Sequence, residues 1–544
     1  MPDSLLTPTP TFDADAVVTA PPVAAPSEVG ELARSAGINA AGNIGSRVLG
    51  LAREALIAGT FGATAATSAW DAVSGIPKMV YELLVGGMLS AALVPVLSEY
   101  ATPERKEELD RILSLLLSLG GIVLVVTVLL LELTAGPVTA LLLPGLDPAT
   151  RALGVRLTRL IVPAVLIYGM SGIIQAYHYA RKRFIYPSMG APAHNLGMIL
   201  GVLLLADLMG IRSLSVGVLL AAGIQLLVQL PGLRGTRLVP CLRFDHPVIG
   251  RILKLYAPVL LSIVVANVGI LIDRRFASQT AQEAITWMAK ATYLIQLPLG
   301  LVSMAISLAV LPSLSQIDAS RDLHQFRVTL SQGLRLVLVL IIPAGVGLLA
   351  LGRPIIELIY EHGAFGPQST AQTLAALRIY LIGLPFSAID LPLVFAFYAQ
   401  KDTVTPVMVG IAAVGIYLLV GPLCAFVFGW GFLGLVLANA AQLAGHAWLM
   451  LIWFGKKYQG LRGYGVAKAA YKSAAASLAL GAVAWLTWVA CDRFVGGGGL
   501  VREVLMVGIP GVAGLAAFAV AARLARISEF EYLLAMARRR LSRT

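Results

Sequence analysis

Ser114–Leu133 reads SLLLSLGGIVLVVTVLLLEL, a run of apolar residues in which Glu132 is the single charged residue. About 20 apolar residues are enough to cross the hydrocarbon core of a bilayer as an α-helix. The alternation of polar and apolar residues typical of a membrane β-strand is absent from this run. The stretch therefore predicts a membrane-spanning helix, and similar runs recur along the chain.

The composition fits a chain made largely of such helices. Of its 544 residues, 58% are hydrophobic and 13% are charged, against about 25% charged residues in a soluble domain. The sequence predicts an all-α polytopic membrane protein with about 14 transmembrane helices. The candidate spans lie near residues 36–58, 68–98, 112–134, 152–180, 187–207, 213–231, 252–275, 285–315, 328–350, 371–398, 404–427, 431–454, 472–490 and 503–523.

Lysine and arginine are distributed unevenly between the predicted loops. One alternate set of loops holds most of them, whereas the other set holds Arg151, Arg212, Arg353, Arg493 and Arg502. By the positive-inside rule, this asymmetry predicts that both termini are cytoplasmic. Topology also accounts for the net charge of +12, so we predict no nucleic-acid partner.

The terminal segments and the cysteines carry no predicted chemistry. Residues 1–33 are rich in Pro, Ala and Thr and predict a disordered cytoplasmic tail, and residues 527–544 predict a basic cytoplasmic tail at anionic headgroups. Cys241, Cys424 and Cys491 are too widely spaced for a disulfide framework or a metal motif. We predict no metal site and no cofactor.

The chain contains an internal duplication. YARKRFIYP (179–187) recurs as YAQKDTVTP (398–406) at an offset of 219, and PVLS (95–98) matches PSLS (312–315) at 217. Pro77 matches Pro298 at 221, and Ala58 matches Ala277 at 219. Each pair occupies the same place in the order of the spans. Spans 1–6 and 7–12 are therefore predicted to be two copies of one six-helix unit.

Because each copy has an even number of spans, both copies enter the membrane from the same side and form a parallel repeat. We predict an N-lobe at 34–235, a C-lobe at 236–456 and a C-terminal helix pair at 457–526. Two lobes of this kind enclose a central cavity that rocking opens to either face, as in alternating-access carriers.

Several charges lie inside the predicted spans, where an arginine or lysine costs about 2.5 to 3.5 kcal/mol on insertion scales. Arg47, Arg53, Lys78 and Lys290 all fall in the first two helices of a lobe. One interpretation is that such charges pair internally, for example Lys78 with Glu82. The other is that they face a cavity and bind an anionic ligand, whose phosphates suit a guanidinium.

Other polar side chains accompany these cations. Glu54 lies two helical turns after Arg47, and Tyr81 and Glu82 share a helical face with Lys78, as Tyr293 does with Lys290. We predict that Glu54, Tyr81, Glu82 and Tyr293 line the cavity. Asp273, at the outer end of the seventh span, is a candidate ion-pair partner of Arg274 or Arg275.

Four segments resemble the MurJ/MviN lipid II flippases of the MOP exporter superfamily. They are SRVLGLAREALIAGTFGA (46–63), IPKMVYELLVGGMLSAALVPVLSEY (76–100), LAVLPSLSQ (308–316) and FYAQKDTVTPV (397–407). The resemblance implies fourteen helices in a bacterial inner membrane, with the last pair forming a groove for an undecaprenyl tail. It also implies the lipid-linked peptidoglycan precursor, lipid II, as substrate, and membrane lipids and other proteins of cell-wall synthesis as partners.

The resemblance assigns residues as well. Arg47, Arg53 and Glu54 match first-helix positions of that family, whereas Tyr81 and Tyr293 stand where the family carries arginines. Gly86 and Ser68 replace a glutamate and an aspartate. Because Lys78 and Lys290 lie one turn before the two tyrosines, we hypothesise that they supply the missing cationic pair. By the same analogy, Asp273 is a candidate ligand for a monovalent coupling ion.

These observations favour a transporter that flips lipid II by alternating access, driven by membrane potential or an ion gradient. A Walker A motif is absent from the sequence. The alternatives are another MOP-superfamily exporter, for lipid-linked polysaccharide or for drugs and cations, and a transport-inactive cell-wall scaffold. A membrane enzyme would need a cluster of acids, histidines or metal ligands, and the sequence contains no such pattern. We therefore predict that the protein is not an enzyme.

Overall fold

The computed structural model describes residues 45–242, 246–494 and 498–541. Every regular element within these ranges is helical, which confirms the predicted all-α class. The predicted tail at 1–33, the start of the first span and residues 542–544 of the basic tail lie outside the described ranges.

The first half of the chain forms a series of helices of unequal length. Helix α1 covers residues 45–61. It is followed by α2 (Ala65–Val73), α3 (Ile76–Tyr81), α4 (Val94–Ser98), α5 (Lys106–Leu142), α6 (Pro148–Ile161), α7 (Ala164–Ala180), α8 (Ile185–Ser188), α9 (Gly190–Met209) and α10 (Arg212–Gln229). Between α3 and α4 the chain makes two π-helical turns, Glu82–Gly86 and Leu89–Leu93.

The second half continues with longer helices. They are α11 (Pro247–Ser278), α12 (Ala284–Pro298), α13 (Met304–Gln316), α14 (Leu323–Tyr360), α15 (Pro367–Ala399), α16 (Val404–Pro422) and α17 (Phe432–Tyr458). The chain ends with α18 (Val466–Phe494), α19 (Leu500–Leu524) and the short α20 (Ser528–Leu541). Further π-helical turns occur at Leu299–Ser303 and Leu423–Val427.

Eleven helical stretches of the described chain are long and apolar enough to cross a membrane. They coincide with predicted spans three to six and eight to fourteen. The other three predicted spans correspond to α1, to the interrupted stretch 65–98 and to α11. The stretch 65–98 is interrupted because α2 ends at Val73 and the π-helical turns follow α3. The structure therefore places a helical segment at each predicted span.

Two π-helical turns occupy matching places in the two halves. The turns Glu82–Gly86 and Leu299–Ser303 are related by the same offset as the motifs PVLS and PSLS. Turns of this type are rare and often mark functional sites. The second and eighth spans thus depart from regular α-helix at the same point.

The largest buried cluster joins the two halves of the chain. Trp70 of α2 and Trp287 of α12 both belong to it, and the Trp287 ring lies 5.2 Å from that of Phe432. Nearby, the hydroxyl oxygens of Ser68 and Thr286, which are distant in the sequence, are 3.3 Å apart. The second and eighth spans therefore meet through corresponding residues.

The last two long helices pack against α14. Leu480 of α18 and Phe518 of α19 form a separate buried cluster with Val339 of α14. Helix α20 is tied to the same helix, because Arg335 forms an ion pair with Glu529 at 3.0 Å. The C-terminal helices thus extend the second half of the chain.

At the end of the bundle predicted to face outward, helix ends and a loop from the two halves are in contact. The Ala364 amide donates to the carbonyl oxygen of Gly59 at 2.8 Å, and Arg275 donates to the carbonyl oxygen of Leu141 at 2.6 Å. Gly62 lies against the backbone of Ala364 with a φ of +65°. The halves are therefore in direct contact at this end.

Gly62→Ala is expected to lower the free energy of unfolding by about 2 to 4 kcal/mol, because the methyl group would adopt an unfavourable φ and collide with Ala364. The control is Gly210→Ala, since Gly210 has a similar φ of +56° but open space around it. Thermal unfolding of both variants in detergent measures the difference. Equal losses of stability would show that the loop contact contributes nothing.

A bidentate ion pair joins the start of α11 to the chain after α4 at the opposite end, which is predicted to be cytoplasmic. Both terminal nitrogens of Arg251 donate to the carboxylate of Glu99, each at 2.6 Å. These hydrogen bonds hold the pKa of the Glu99 carboxyl below its ordinary value. Helix α11 is therefore bonded to the first half of the chain at both of its ends.

Candidate functional site

A cavity of about 860 Å³ lies in the first half of the chain and is closed on one side by α12 of the second half. Its wall contains residues from α1, α2, α3, α7, α9, α10 and α12. Five charged side chains line it: Arg53, Glu54, Asp71, Lys78 and Lys290. Three of the four cations predicted for substrate binding thus border one space, and they come from both halves.

Glu54 connects two of these cations. One of its carboxylate oxygens accepts a hydrogen bond from Arg53 and the other accepts one from Lys290, each at 2.6 Å. Arg53 also donates to the side-chain oxygen of Asn195 at 2.9 Å. Lys290 is only 2% exposed, and its ammonium lies 5.7 Å from the centre of the Tyr360 ring. A single carboxylate therefore serves both a partly buried guanidinium and a buried ammonium.

Lys78 is the accessible cation of the cavity. Its side chain is 77% exposed and lies 3.8 Å from Glu82, whose side chain is 44% exposed. An exposed ion pair of this spacing contributes only about 0.3 to 0.5 kcal/mol. The predicted pair of lysines is thus unequal, since Lys78 is available to a ligand and Lys290 is already bonded.

Arg47 and Tyr293 lie beside the cavity at the contact between α1 and the second half. The Arg47 guanidinium packs directly on Gly300, where any side chain would collide with it. The Tyr293 hydroxyl packs on Gly50 of α1 in the same way. Arg47, Tyr293 and Glu82 are not among the described residues that form the cavity wall.

Tyr81 lines the cavity and rests on small residues. A side chain at Gly86 or Gly172 would collide with its ring, and the Tyr168 ring centre lies 6.3 Å away. The Tyr168 hydroxyl in turn is 2.8 Å from His194 Nδ1. The aromatic side chain at position 81 and the glycine at position 86 are therefore sterically complementary.

The sequence-based prediction missed several polar residues of the cavity wall. Asp71, which accepts a hydrogen bond from Thr286 at 2.8 Å, lies at one end, and Gln175, His194, Asn195 and Gln225 add neutral polar groups. Polar residues inside apolar spans are costly unless they face partners or a cavity. Applying this criterion to Asp71 and to the uncharged side chains would have identified them.

Asp273 lies apart from the cavity. Its Oδ1 accepts hydrogen bonds from the Tyr417 hydroxyl at 2.6 Å and from the Asn439 amide at 2.9 Å. Within the described chain, no group of three or more His, Cys, Asp or Glu side chains is arranged to hold a metal ion. Asp273 therefore interacts with α16 and α17 through neutral groups.

A second, smaller cavity of about 370 Å³ lies between α14, α18 and α19. Both arginines that line it are paired with carboxylates of the same cavity, Arg353 with Glu357 at 2.8 Å and Arg502 with Asp492 at 2.7 Å. It does not extend between the two halves of the repeat. The larger cavity is therefore the candidate transport site.

Comparison with known protein families bears on this site. The family model described as lipid II flippase MurJ matches residues 57–504, which include Lys78, Asp273 and Lys290. The chain belongs to the MurJ family. Curated MurJ relatives match over most of their length. The probable lipid II flippase MurJ of Vibrio cholerae is 31% identical over 432 residues, covering 76% of this chain and 81% of the relative.

Another MurJ relative and two solved structures extend the comparison. The lipid II flippase MurJ of Burkholderia cenocepacia is 29% identical, over 75% of this chain and 78% of the relative. A lipid II flippase MurJ in an inward closed conformation superimposes with a TM-score of 0.73 at 23% identity, covering 89% of this chain and 98% of that chain. An inward-facing MATE multidrug transporter of the MOP superfamily gives 0.68 at 12% identity, covering 77% and 95%. The predicted MurJ fold is thus confirmed, and the MATE transporter shares it.

The MurJ assignment clarifies two of the departures noted in the sequence. Ser68, at a position where the resemblance implies an aspartate, accepts a hydrogen bond from the Thr286 amide at 3.4 Å. Gly86, where the resemblance implies a glutamate, leaves room for the Tyr81 ring. At position 86 the absence of a side chain allows a contact that a carboxylate would obstruct.

Proposed function

We propose that this protein moves lipid II from the cytoplasmic to the outer leaflet of the bacterial inner membrane by alternating access. The observation that carries the proposal is the cavity that Arg53, Lys78 and Lys290 line together. Two of these cations belong to the first half of the chain and one to the second. An anionic headgroup bound among them would contact both halves and follow their relative movement.

The charges of the cavity suggest an order of binding. The exposed ammonium of Lys78 meets the pyrophosphate first. The phosphate oxygens then compete with Glu54 for Arg53 and Lys290, both of which form ion pairs with Glu54. Membership of the MurJ family supports lipid II as the source of this pyrophosphate. The neutral amides and hydroxyls of the wall are suited to sugar and peptide groups.

The proposed cycle also uses the lobes at 34–235 and 236–456, both termini on the cytoplasmic side, and a lipid-tail groove formed by the helix pair at 457–526. Outward movement of a negative headgroup gains about 2.3 kcal/mol per charge for each 100 mV of inside-negative potential. A membrane potential is thus sufficient to bias transport without ATP. Arg47 and Tyr293 lie at the contact between the halves, and we propose that their contacts change when the halves rock.

The experiment that tests this proposal uses cells in which this protein is the only flippase. Mass-tagged lipid II is probed with a membrane-impermeant reagent, and label should reach the outer leaflet when the protein is present. Growth without outer-leaflet lipid II would instead indicate a scaffold. Export of a different lipid-linked saccharide in the same assay would indicate another exporter of the superfamily.

A further inference from the structure

A histidine and an aspartate face each other inside the second half of the chain, away from the cavity. His446 of α17 and Asp390 of α15 lie 2.7 Å apart through Nδ1 and Oδ1, and their side chains are 18% and 23% exposed. Both helices are among the membrane-spanning stretches. The proposed lipid II cycle makes no use of this pair.

The internal repeat provides a comparison for the pair. Ser171 of α7 corresponds to Asp390 at the offset of 219 that relates YARKRFIYP to YAQKDTVTP. Gln225 of α10 corresponds to His446 at the offset of 221 that relates Pro77 to Pro298. The Gln225 amide donates to the Ser171 hydroxyl oxygen at 3.3 Å, so the corresponding place in the first half holds a neutral hydrogen bond. Gln229 donates to the same oxygen at 2.8 Å. Joining these two helices therefore requires a hydrogen bond but no ionisable group.

Few other charges act on the pair. On α15 itself, the Tyr398 side chain lies within electrostatic range of Asp390. Helices α13 and α16, which pack against α15, contain no charged residue, and His446 Nε2 points toward Gly410 of α16. Arg378 of α15 and Lys456 of α17 lie about three helical turns away from the pair. Asp390 and His446 thus depend mainly on each other for charge balance.

Several charged groups on the other neighbouring helices have partners of their own. On α14 and α12 they are bonded to groups outside this pair, namely Arg327 to Gly460, Arg335 to Glu529, Arg353 to Glu357 and Lys290 to Glu54. Asp273 of α11 is bonded to Tyr417 and Asn439. Among the described residues, none of these groups neutralises the Asp390 carboxylate.

We propose that Asp390 and His446 form a proton-binding site. With a neutral imidazole and an ionised carboxylate the pair carries one net negative charge within the membrane, and proton uptake by the imidazole makes it a neutral ion pair. An uncompensated charge in a low-dielectric region is costly, and a bound proton would remove that net charge. Histidine is the side chain suited to this exchange near neutral pH, and the described chain supplies no third ligand for a metal ion.

The site gains a role in transport from the function proposed above, on which this step rests. If the negative headgroup moves outward, the empty carrier must return. Carrying a proton inward on Asp390 and His446 during the return would be favoured by an inside-negative potential and by an inward proton gradient. Export of an anion and import of a proton would therefore draw on the same membrane energy.

The first test measures proton binding without any substrate. The protein contains six histidines, so ¹⁵N-histidine NMR of the full chain in nanodiscs is practical, with the His446 signal identified by its loss in His446→Gln. We expect this signal to change between its neutral and protonated forms between pH 5 and 8, and Asp390→Asn to remove that change from this range. A His446 signal that stays in one form throughout would overturn the site. His324, on the predicted cytoplasmic surface, serves as the reference.

The second test measures coupling in proteoliposomes that contain lipid II and a fixed membrane potential. One unit of pH gradient should change the flux of the parent protein by up to tenfold, which corresponds to about 1.4 kcal/mol per proton. The matched variant Asp390→Ser with His446→Gln reproduces the neutral pair of the first half, and its flux ratio with and without the gradient should fall to one. A parent flux that ignores the gradient, or a variant that retains the response, would overturn coupling. Absence of lipid II flux in the parent would instead refute the proposed function, leaving the NMR result to decide the proton site.

Discussion

Replacing Glu54 with glutamine is expected to lower the free energy of unfolding by about 3 kcal/mol, because removal of one partner from a buried ion pair leaves the other charge uncompensated. Here two cations lose their counter-charge at once. Lys290 is 2% exposed, and the side chains of Arg53 and Glu54 are 19% and 16% exposed. Thermal unfolding in detergent measures the loss.

The matched control is Glu82→Gln, the same chemical change on an exposed glutamate of the second span. Its ion pair with Lys78 spans 3.8 Å between largely exposed side chains, so its removal should cost less than about 0.5 kcal/mol. A third variant, Glu54→Gln with Lys290→Met, removes the buried ammonium as well and should recover part of the lost stability. If Glu54→Gln and Glu82→Gln unfold at the same temperature, the buried bridge is not a significant source of stability.

The same variant also probes the proposed function. Glu54 accepts hydrogen bonds from the donors of Arg53 and Lys290 that we assign to the pyrophosphate. Added lipid II should therefore raise the unfolding temperature of Glu54→Gln more than that of the parent protein. A smaller rise in the variant would argue against phosphate at this position.

Replacing Lys78 and Lys290 together with alanine is expected to abolish rescue of a flippase-depleted strain. Each hydrogen bond to a charged group contributes about 1.5 to 3 kcal/mol, so losing two should weaken headgroup binding by about 100-fold or more. Growth of the depleted strain and outer-leaflet lipid II are the measurements. Full rescue by the double variant would exclude these lysines as the cationic pair.

The single variants separate binding from stability. Lys78 is exposed and weakly paired, so Lys78→Ala should weaken substrate binding by about tenfold with little change in unfolding. Lys290 is buried and bonded to Glu54, so Lys290→Ala should affect both. Lys456→Ala, an exposed lysine of α17 outside the cavity, controls for loss of positive charge alone.

The membrane fold was predictable because its local signal is strong. An apolar run such as 114–133 has to satisfy its backbone hydrogen bonds internally in lipid, and only a helix does so within one segment. The structure places helices at the predicted spans. The two π-helical turns in the second and eighth spans were not predictable, since a single extra residue in a helical turn leaves no pattern in hydropathy.

The cavity was predictable in part. The cost of a charge in lipid drew attention to Arg53, Lys78 and Lys290, because such residues need a partner or a polar space, and all three line the cavity. The same reasoning could not distinguish Lys78, which is exposed, from Lys290, which is buried. Both have a tyrosine one helical turn later, and their different surroundings arise from helices distant in the sequence.

The sequence by itself thus determined the helical class, the approximate spans, the duplication and the cationic character of two helices in each copy, because all of these depend on residues within one segment or on direct repetition. Only the tertiary structure decided that Glu54 joins Arg53 to Lys290, that Arg47 packs on Gly300, and that Asp390 faces His446. The physical reason is that contacts between helices depend on the rotation and tilt of each helix about its axis. Those quantities are fixed by packing against all neighbouring helices and are not encoded in the spacing of residues along any one of them.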